Sequence, residues 1–222
     1  MKTALINGSP KREKSVSALL LKELRDDLSE GEFLTYQIPL TIYNADEGIS
    51  EIAEDLLTCD ALVFAFPLYA DGLPGHVTAY LRALEAAFAM LRNKQKQEKT
   101  PRVYGIVNCG FYEGKQTHLA LDMMKLWCEK AKIDWGQGVG VGAGGMVYGL
   151  RNIPAGQGPK KAISGALRDL SEQVGTLGMA QDQFVSPGIP RILYKLAGEM
   201  GWRNQVKANG LTRRDLFTKR TD

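Results

Sequence analysis

The chain has 222 residues, enough for one large domain or one domain with an extension. Some 44% of it is hydrophobic, so a sizeable core can be buried, and a net charge of +3 is too small to mark a nucleic-acid binder. There is no apolar run of about 18 residues, so no membrane span is expected. The start, Met1-Lys2-Thr3-Ala4-Leu5-Ile6, is apolar too briefly for a signal peptide. Cys59, Cys109 and Cys128 are few, odd in number and widely spaced, which argues against a disulfide framework and a zinc site. A cytoplasmic enzyme or binding protein without a structural metal is the expectation.

In chain order, short apolar runs bounded by turn residues read as strands, and longer runs of period 3.6 read as helices. Thr3–Asn7 is a first strand, and Ser15–Leu28 is a helix with Leu19, Leu20, Leu24 and Leu28 on its apolar face. Phe33–Ile38 is a second strand and Ser50–Thr58 a short helix. Ala61–Phe66 is apolar throughout, as suits a central parallel strand covered on both faces. Pro74 opens a long helix, where its missing N–H costs nothing, and the polar run Asn93–Thr100 ends it. Arg102–Asn108 is a fourth strand, Thr117–Ala131 a helix, Gly138–Val141 a glycine-rich fifth strand and Lys160–Val174 a last core helix.

This alternation predicts a three-layer α/β fold with a five-stranded parallel sheet between two helical layers. Residues 1–185 form that domain. Residues 186–222 form a basic C-terminal extension, with Arg191, Lys195, Arg203, Lys207, Arg213, Arg214, Lys219 and Arg220 against Glu199, Asp215 and Asp222. Pro190–Gly201 reads as an amphipathic helix that packs on the domain or on a dimer mate; contact with anionic lipid is the lesser reading.

In such folds ligands bind beyond the carboxyl ends of the strands, which singles out three loops. The first, Asn7-Gly8-Ser9-Pro10-Lys11-Arg12-Glu13-Lys14-Ser15-Val16-Ser17, offers hydroxyls, cations and a helix N-terminus, the donors a phosphate needs. The second, Phe66-Pro67-Leu68-Tyr69-Ala70-Asp71-Gly72-Leu73-Pro74, offers apolar and aromatic surface, and glycine for close backbone approach. The third, Asn108-Cys109-Gly110-Phe111-Tyr112-Glu113-Gly114, has the same character. Cys109 has no histidine placed as its base, so it reads as an unreactive thiol, and His76 and His118 read as structural or exposed.

Leu5-Ile6-Asn7-Gly8-Ser9-Pro10-Lys11 followed by Ser15-x-Ser17, together with Phe66-Pro67-Leu68-Tyr69 and the helix-opening Pro74, resembles the NADPH-dependent FMN reductase superfamily. The resemblance runs over roughly residues 3–145 in motif order. It implies a flavodoxin-like fold, FMN as cofactor, NAD(P)H as co-substrate and frequent homodimers. It places the flavin phosphate on Ser9, Lys11, Ser15 and Ser17. It sets one side of the ring against Pro67, Leu68, Tyr69 and Ala70, and the other against Asn108, Cys109, Gly110 and Phe111. Many members carry arginine at the position of Lys11 and asparagine at that of Val16; here Val16 retains only its backbone donor. The basic extension lies outside the common core.

The implied activity passes electrons from NAD(P)H through bound FMN to a small acceptor such as a quinone or free flavin, with no protein acid or base required. A flavodoxin-type electron carrier is the first alternative, although carriers of that kind present acidic faces. A non-enzymatic regulatory or partner-binding module is the second. Gly140-Val141-Gly142-Ala143-Gly144-Gly145 matches the G-x-G-x-x-G fingerprint, but Met146–Pro154 does not read as the helix that fingerprint requires; a glycine-rich turn near the flavin's edge is the alternative.

Overall fold

The computed structural model describes residues 1–28, 30–40, 45–95 and 100–218. Residues 96–99 of the polar run after the long helix, and Lys219, Arg220 and Asp222 of the extension, lie outside them. The chain divides into two compact units, Met1–Gly188 and Ile189–Asp222.

The first unit is built on six parallel strands: β1 (Lys2–Asn7), β2 (Glu32–Gln37), β3 (Ala61–Pro67), β4 (Arg102–Asn108), β5 (Asp134–Val141) and β6 (Gln183–Val185). Their order is β2-β1-β3-β4-β5-β6. The first five follow the doubly wound order in which the chain leaves β1 in one direction for β2 and in the other for β3, opening a crevice at the carboxyl ends of β1 and β3.

Side-chain alternation along the strands divides the core in two. Leu62, Phe64 and Phe66 of β3 face α2 (Ala45–Thr58), α3 (Gly75–Gln95) and α4 (His118–Ala131). Ala61, Val63 and Ala65 face the other way, toward α1 (Val16–Asp27), α5 (Gly144–Gly149) and α6 (Lys161–Thr176). Burial of β3 on both faces explains its unbroken apolar run. On the first face Phe64 meets Trp127 edge-on at 5.7 Å between centroids, and the indole N–H donates to the Leu81 carbonyl at 2.8 Å.

The sheet has six strands where the sequence reading expects five. The sixth is three half-buried residues, pairing Gln183 with Val139 and Val185 with Val141; such a segment is too short to carry a pattern of period two. β5 also begins earlier than its apolar residues suggest, at Asp134, because its glycines make room for bulky neighbours. A side chain at Gly138 would run into Leu121 and Trp135, and one at Gly136 into the ring of Tyr104.

The second unit holds α7 (Arg191–Ala208) and a 3₁₀ turn, Arg213–Phe217, opened by Thr212. Asp215 bonds the Thr212 backbone and hydroxyl, and these bonds hold its carboxyl below the ordinary range. No residue of α7 is buried. Among the described residues no helix is long and apolar enough to cross a membrane.

Tyr104 is pinned by its hydroxyl, which donates to the carbonyl of Gln173 (2.8 Å) or of Gly178 (3.0 Å), so its ring cannot step aside. Gly136→Ala is therefore expected to destabilise the fold by about 1–3 kcal/mol, the usual range for overpacking. Urea unfolding should show a lower midpoint at unchanged slope.

Candidate functional site

Beyond the carboxyl ends of β1, β3, β4 and β5 lies a cleft of about 410 Å³. Its first wall is the loop after β1. Asn7 organises it: Oδ1 accepts from the Ser9 N–H at 2.9 Å, and Nδ2 donates to the Arg12 carbonyl at 3.2 Å. Arg12 sits at φ +51°, a left-handed conformation that costs an ordinary residue about 1 kcal/mol or more. The bonds that its carbonyl accepts, the second from Ser15 Oγ at 2.5 Å, hold it there. Ser15 caps α1, its Oγ accepting from the Ala18 N–H at 3.0 Å. The N–H groups of Val16 and Ser17 have no partner within the helix and carry the positive end of its dipole.

Gly8 cannot be larger, since a Cβ would lie 2.9 Å from Val77 and 3.0 Å from Phe66. Its N–H donates to the Ala65 carbonyl at 2.8 Å, and His76 Nε2 lies 2.9 Å from its own carbonyl. A carbonyl only accepts, so the His76 proton is on Nε2. His118 likewise faces a backbone carbonyl, that of Lys115, through Nδ1 at 3.0 Å. Both histidines have backbone partners.

The loop after β3 forms the second wall. Tyr69 and Gly72 exchange two backbone hydrogen bonds of 3.0 Å around Ala70 and Asp71, both at positive φ. This is the pattern of a tight primed turn, and it leaves Tyr69 half exposed at the cleft.

The loop after β4 ties the others together. Asn108 is buried, and its Nδ2 donates to Ser17 Oγ at 2.8 Å and to the Phe66 carbonyl at 3.2 Å. Its own carbonyl accepts from the Leu68 N–H at 2.8 Å. One residue thus joins the end of β4 to the start of α1 and to the loop after β3. The next residue continues the chain of contacts, with Cys109 N–H on the Val141 carbonyl (2.9 Å) and the Cys109 carbonyl on the Gly144 N–H (2.7 Å). Burial pushes the Cys109 thiol up, and the thiol lies 3.7 Å from the carbonyls of Phe111 and Glu113. It is not an activated nucleophile.

Of the residues singled out from sequence, Ser9, Lys11, Ser15, Val16, Pro67, Leu68, Tyr69, Asn108, Cys109 and Gly110 line this one cleft. Ser17 is buried behind it against Asn108. Ala70 lies at the turn tip and Phe111 is half exposed, and neither is in the cleft wall. The residues expected from sequence leave out Lys14 and Tyr148, and Gly144 and Gly145 enter only as part of a glycine-rich turn. The two glycines belong to the stretch Gly140–Gly145 that matches G-x-G-x-x-G. A helix does follow it, but α5 is only six residues long. Ala143 before it takes φ +54°, turning the chain back over the cleft. Among the described residues the wall contains two cations, Lys11 and Lys14, and no carboxylate.

The model of the NADPH-dependent FMN reductase family matches residues 1–126. The chain belongs to this family. No curated protein matches it in sequence. Among solved structures, an NADH:FMN oxidoreductase in its apo form superposes with a TM-score of 0.56 at 14% identity, covering 81% of this chain and 90% of the other. General stress protein 14 from Treponema denticola, in complex with FMN, gives 0.52 at 15% identity over 77% and 99% of the two chains. An NADPH-quinone reductase from P. pentosaceus gives 0.51 at 13% over 79% and 98%. At such identities these likenesses show a shared fold.

Removing the amide of Asn108 takes a buried donor from Ser17 Oγ and from the Phe66 carbonyl, which keeps only its ladder bond. Asn108→Ala should lose about 1–3 kcal/mol in denaturant melts. Asn108→Asp should lose more, because an ionised carboxylate can only accept and would face another acceptor. The cysteines give a second expectation. Burial raises the Cys59 thiol to about 11 and pushes Cys109 and Cys128 up as well. Raised values keep the thiols protonated at pH 8. Mass spectrometry after iodoacetamide treatment should therefore find the folded protein unmodified, and the urea-unfolded protein with three adducts.

Proposed function

We propose that the protein is an FMN-dependent NAD(P)H oxidoreductase that passes electrons to a small acceptor. The observation that carries this reading is the composition of the cleft walls. The loop after β1 and the start of α1 bring the α1 N-terminus, the Ser9 hydroxyl, Lys11 and Lys14, and no carboxylate among the described residues lines the cleft. The loops after β3, β4 and β5 bring Pro67, Leu68, Tyr69 and Gly110, with Gly144, Gly145 and Tyr148.

The residues present fit FMN. A Cβ added at Gly110 or Gly145 would meet no protein atom within 4 Å, although both residues line the cleft. Glycine there puts no side chain into the space that a flat ring would take. The Val16 and Ser17 amides, Ser9 and the two lysines would hold the phosphate. Pro67, Leu68 and Tyr69 would border the ring on one side, with Asn108, Cys109 and Gly110 on the other. When bound, FMN supplies hydride acceptance and onward electron transfer.

The chain's own work is then binding and orientation. Asn108 fixes the spacing of the walls, and the backbone groups of the β4 loop set the polar environment of the ring. Tyr69 stands half exposed at the mouth, where a planar acceptor could stack. Buried Cys109, with its thiol held protonated, adds no competing nucleophile. The apolar and aromatic residues Pro67, Leu68 and Tyr69 support a planar acceptor such as a quinone or free flavin.

Equilibrium titration of the purified protein with FMN tests the reading. One FMN per chain is expected to bind, and anaerobic NADPH should then bleach its visible absorbance. Lys11→Ala should weaken FMN about tenfold or more, the usual loss for a charge-assisted contact. A protein that takes up no FMN contradicts the proposal. One that binds FMN but exchanges no electrons with either nicotinamide nucleotide favours the electron-carrier reading.

A further inference from the structure

Arg151 lies just after α5, outside the cleft wall and outside every ion pair among the described residues. It is exposed, yet it is not loose. Its guanidinium carbon sits 4.9 Å from the centroid of the Tyr148 ring, and Nη1 donates to the Tyr148 carbonyl at 3.1 Å. Tyr148 is itself part of the cleft wall. The segment that follows is anchored too. Lys160 is buried, and its Nζ donates to the Ile153 carbonyl at 3.2 Å and pairs with Glu23 of α1 at 2.5 Å. Exposed arginines normally give up side-chain freedom when they bind; this one has already lost part of it, and it pairs with no carboxylate among the described residues.

A planar, pre-oriented guanidinium beside a cleft matches a phosphate oxygen pair. The flavin phosphate is already provided for by the α1 N-terminus, Lys11 and Lys14. The proposed reaction brings a second phosphorylated ligand to the same cleft, the nicotinamide dinucleotide. Resting on the flavoenzyme reading above, we infer that Arg151, held on Tyr148, is the residue that binds a phosphate group of the NAD(P)H donor and so sets its affinity for the dinucleotide.

Calorimetric titration of the FMN-loaded protein with NADP⁺ and with NAD⁺ tests this without turnover. Arg151→Ala should weaken NADP⁺ about tenfold or more. Arg151→Lys, which keeps the charge but loses the planar fork, should fall between. The FMN dissociation constant should be the same in all three proteins, and the KM for NADPH should follow the NADP⁺ affinity. A loss for NADP⁺ alone puts the guanidinium on the 2′-phosphate, and an equal loss for NADP⁺ and NAD⁺ puts it on the diphosphate; either supports the inference. Unchanged dinucleotide binding in Arg151→Ala overturns it, as does weakened FMN binding with dinucleotide affinity intact. A wild-type protein that binds no FMN at all contradicts the flavoenzyme reading instead, and the inference with it.

Discussion

The hydrogen bonds of the Asn108 side chain hold the candidate site in shape. A parallel sheet delivers its loops to one edge but does not by itself fix the distances between them. The Asn108 amide does so, reaching Ser17 at the head of α1 and the Phe66 carbonyl at the end of β3. In a buried setting such bonds are demanding: each partner left unsatisfied carries a desolvation cost, which opposes separating the three loops. The backbone bonds from Leu68 to Asn108 and from Gly144 to Cys109 extend the same connection across the cleft.

Around this point, close packing sets what each strand can be. The glycines of β5 are room for other side chains. Tyr104, fixed by its hydroxyl, occupies the space beside Gly136, and Leu121 and Trp135 occupy that beside Gly138. Gly8 is small because Val77 and Phe66 press on it, and that contact brings the phosphate-type loop down onto β3. Strain appears in the loops around the cleft, at Arg12, Ala70, Asp71 and Ala143, all at positive φ without being glycine. Three of these lie in turns that shape the cleft walls and one turns the chain into α5, which is where over-determined neighbours can hold such backbone.

Much of this was legible in the sequence. The uninterrupted apolar run of β3, the leucine spacing of α1 and the loop Asn7–Ser17 each carry their own physical signature. The order of the elements then placed three loops at one edge. β6 was not legible because three residues cannot show alternation. α5 was not, because Gly144, Gly145 and Gly149 lower helix propensity and a six-residue helix exists only by tertiary packing. Ser17 illustrates a different limit. Its hydroxyl reads as a ligand for an anion, and in the fold it also accepts from Asn108. That partner lies far along the chain, and no local pattern records it.

The proposed function rests on one spatial claim: the cation-bearing wall and the glycine-lined walls of the cleft hold a single ligand. A crystal structure of the protein grown with FMN tests it directly. Phosphate density is expected at the α1 N-terminus, within reach of Ser9, Lys11 and the Val16 amide, and ring density between Tyr69 and Gly110. Density for the flavin elsewhere on the protein, or a phosphate at α1 with the ring turned away from the β4 loop, would contradict it.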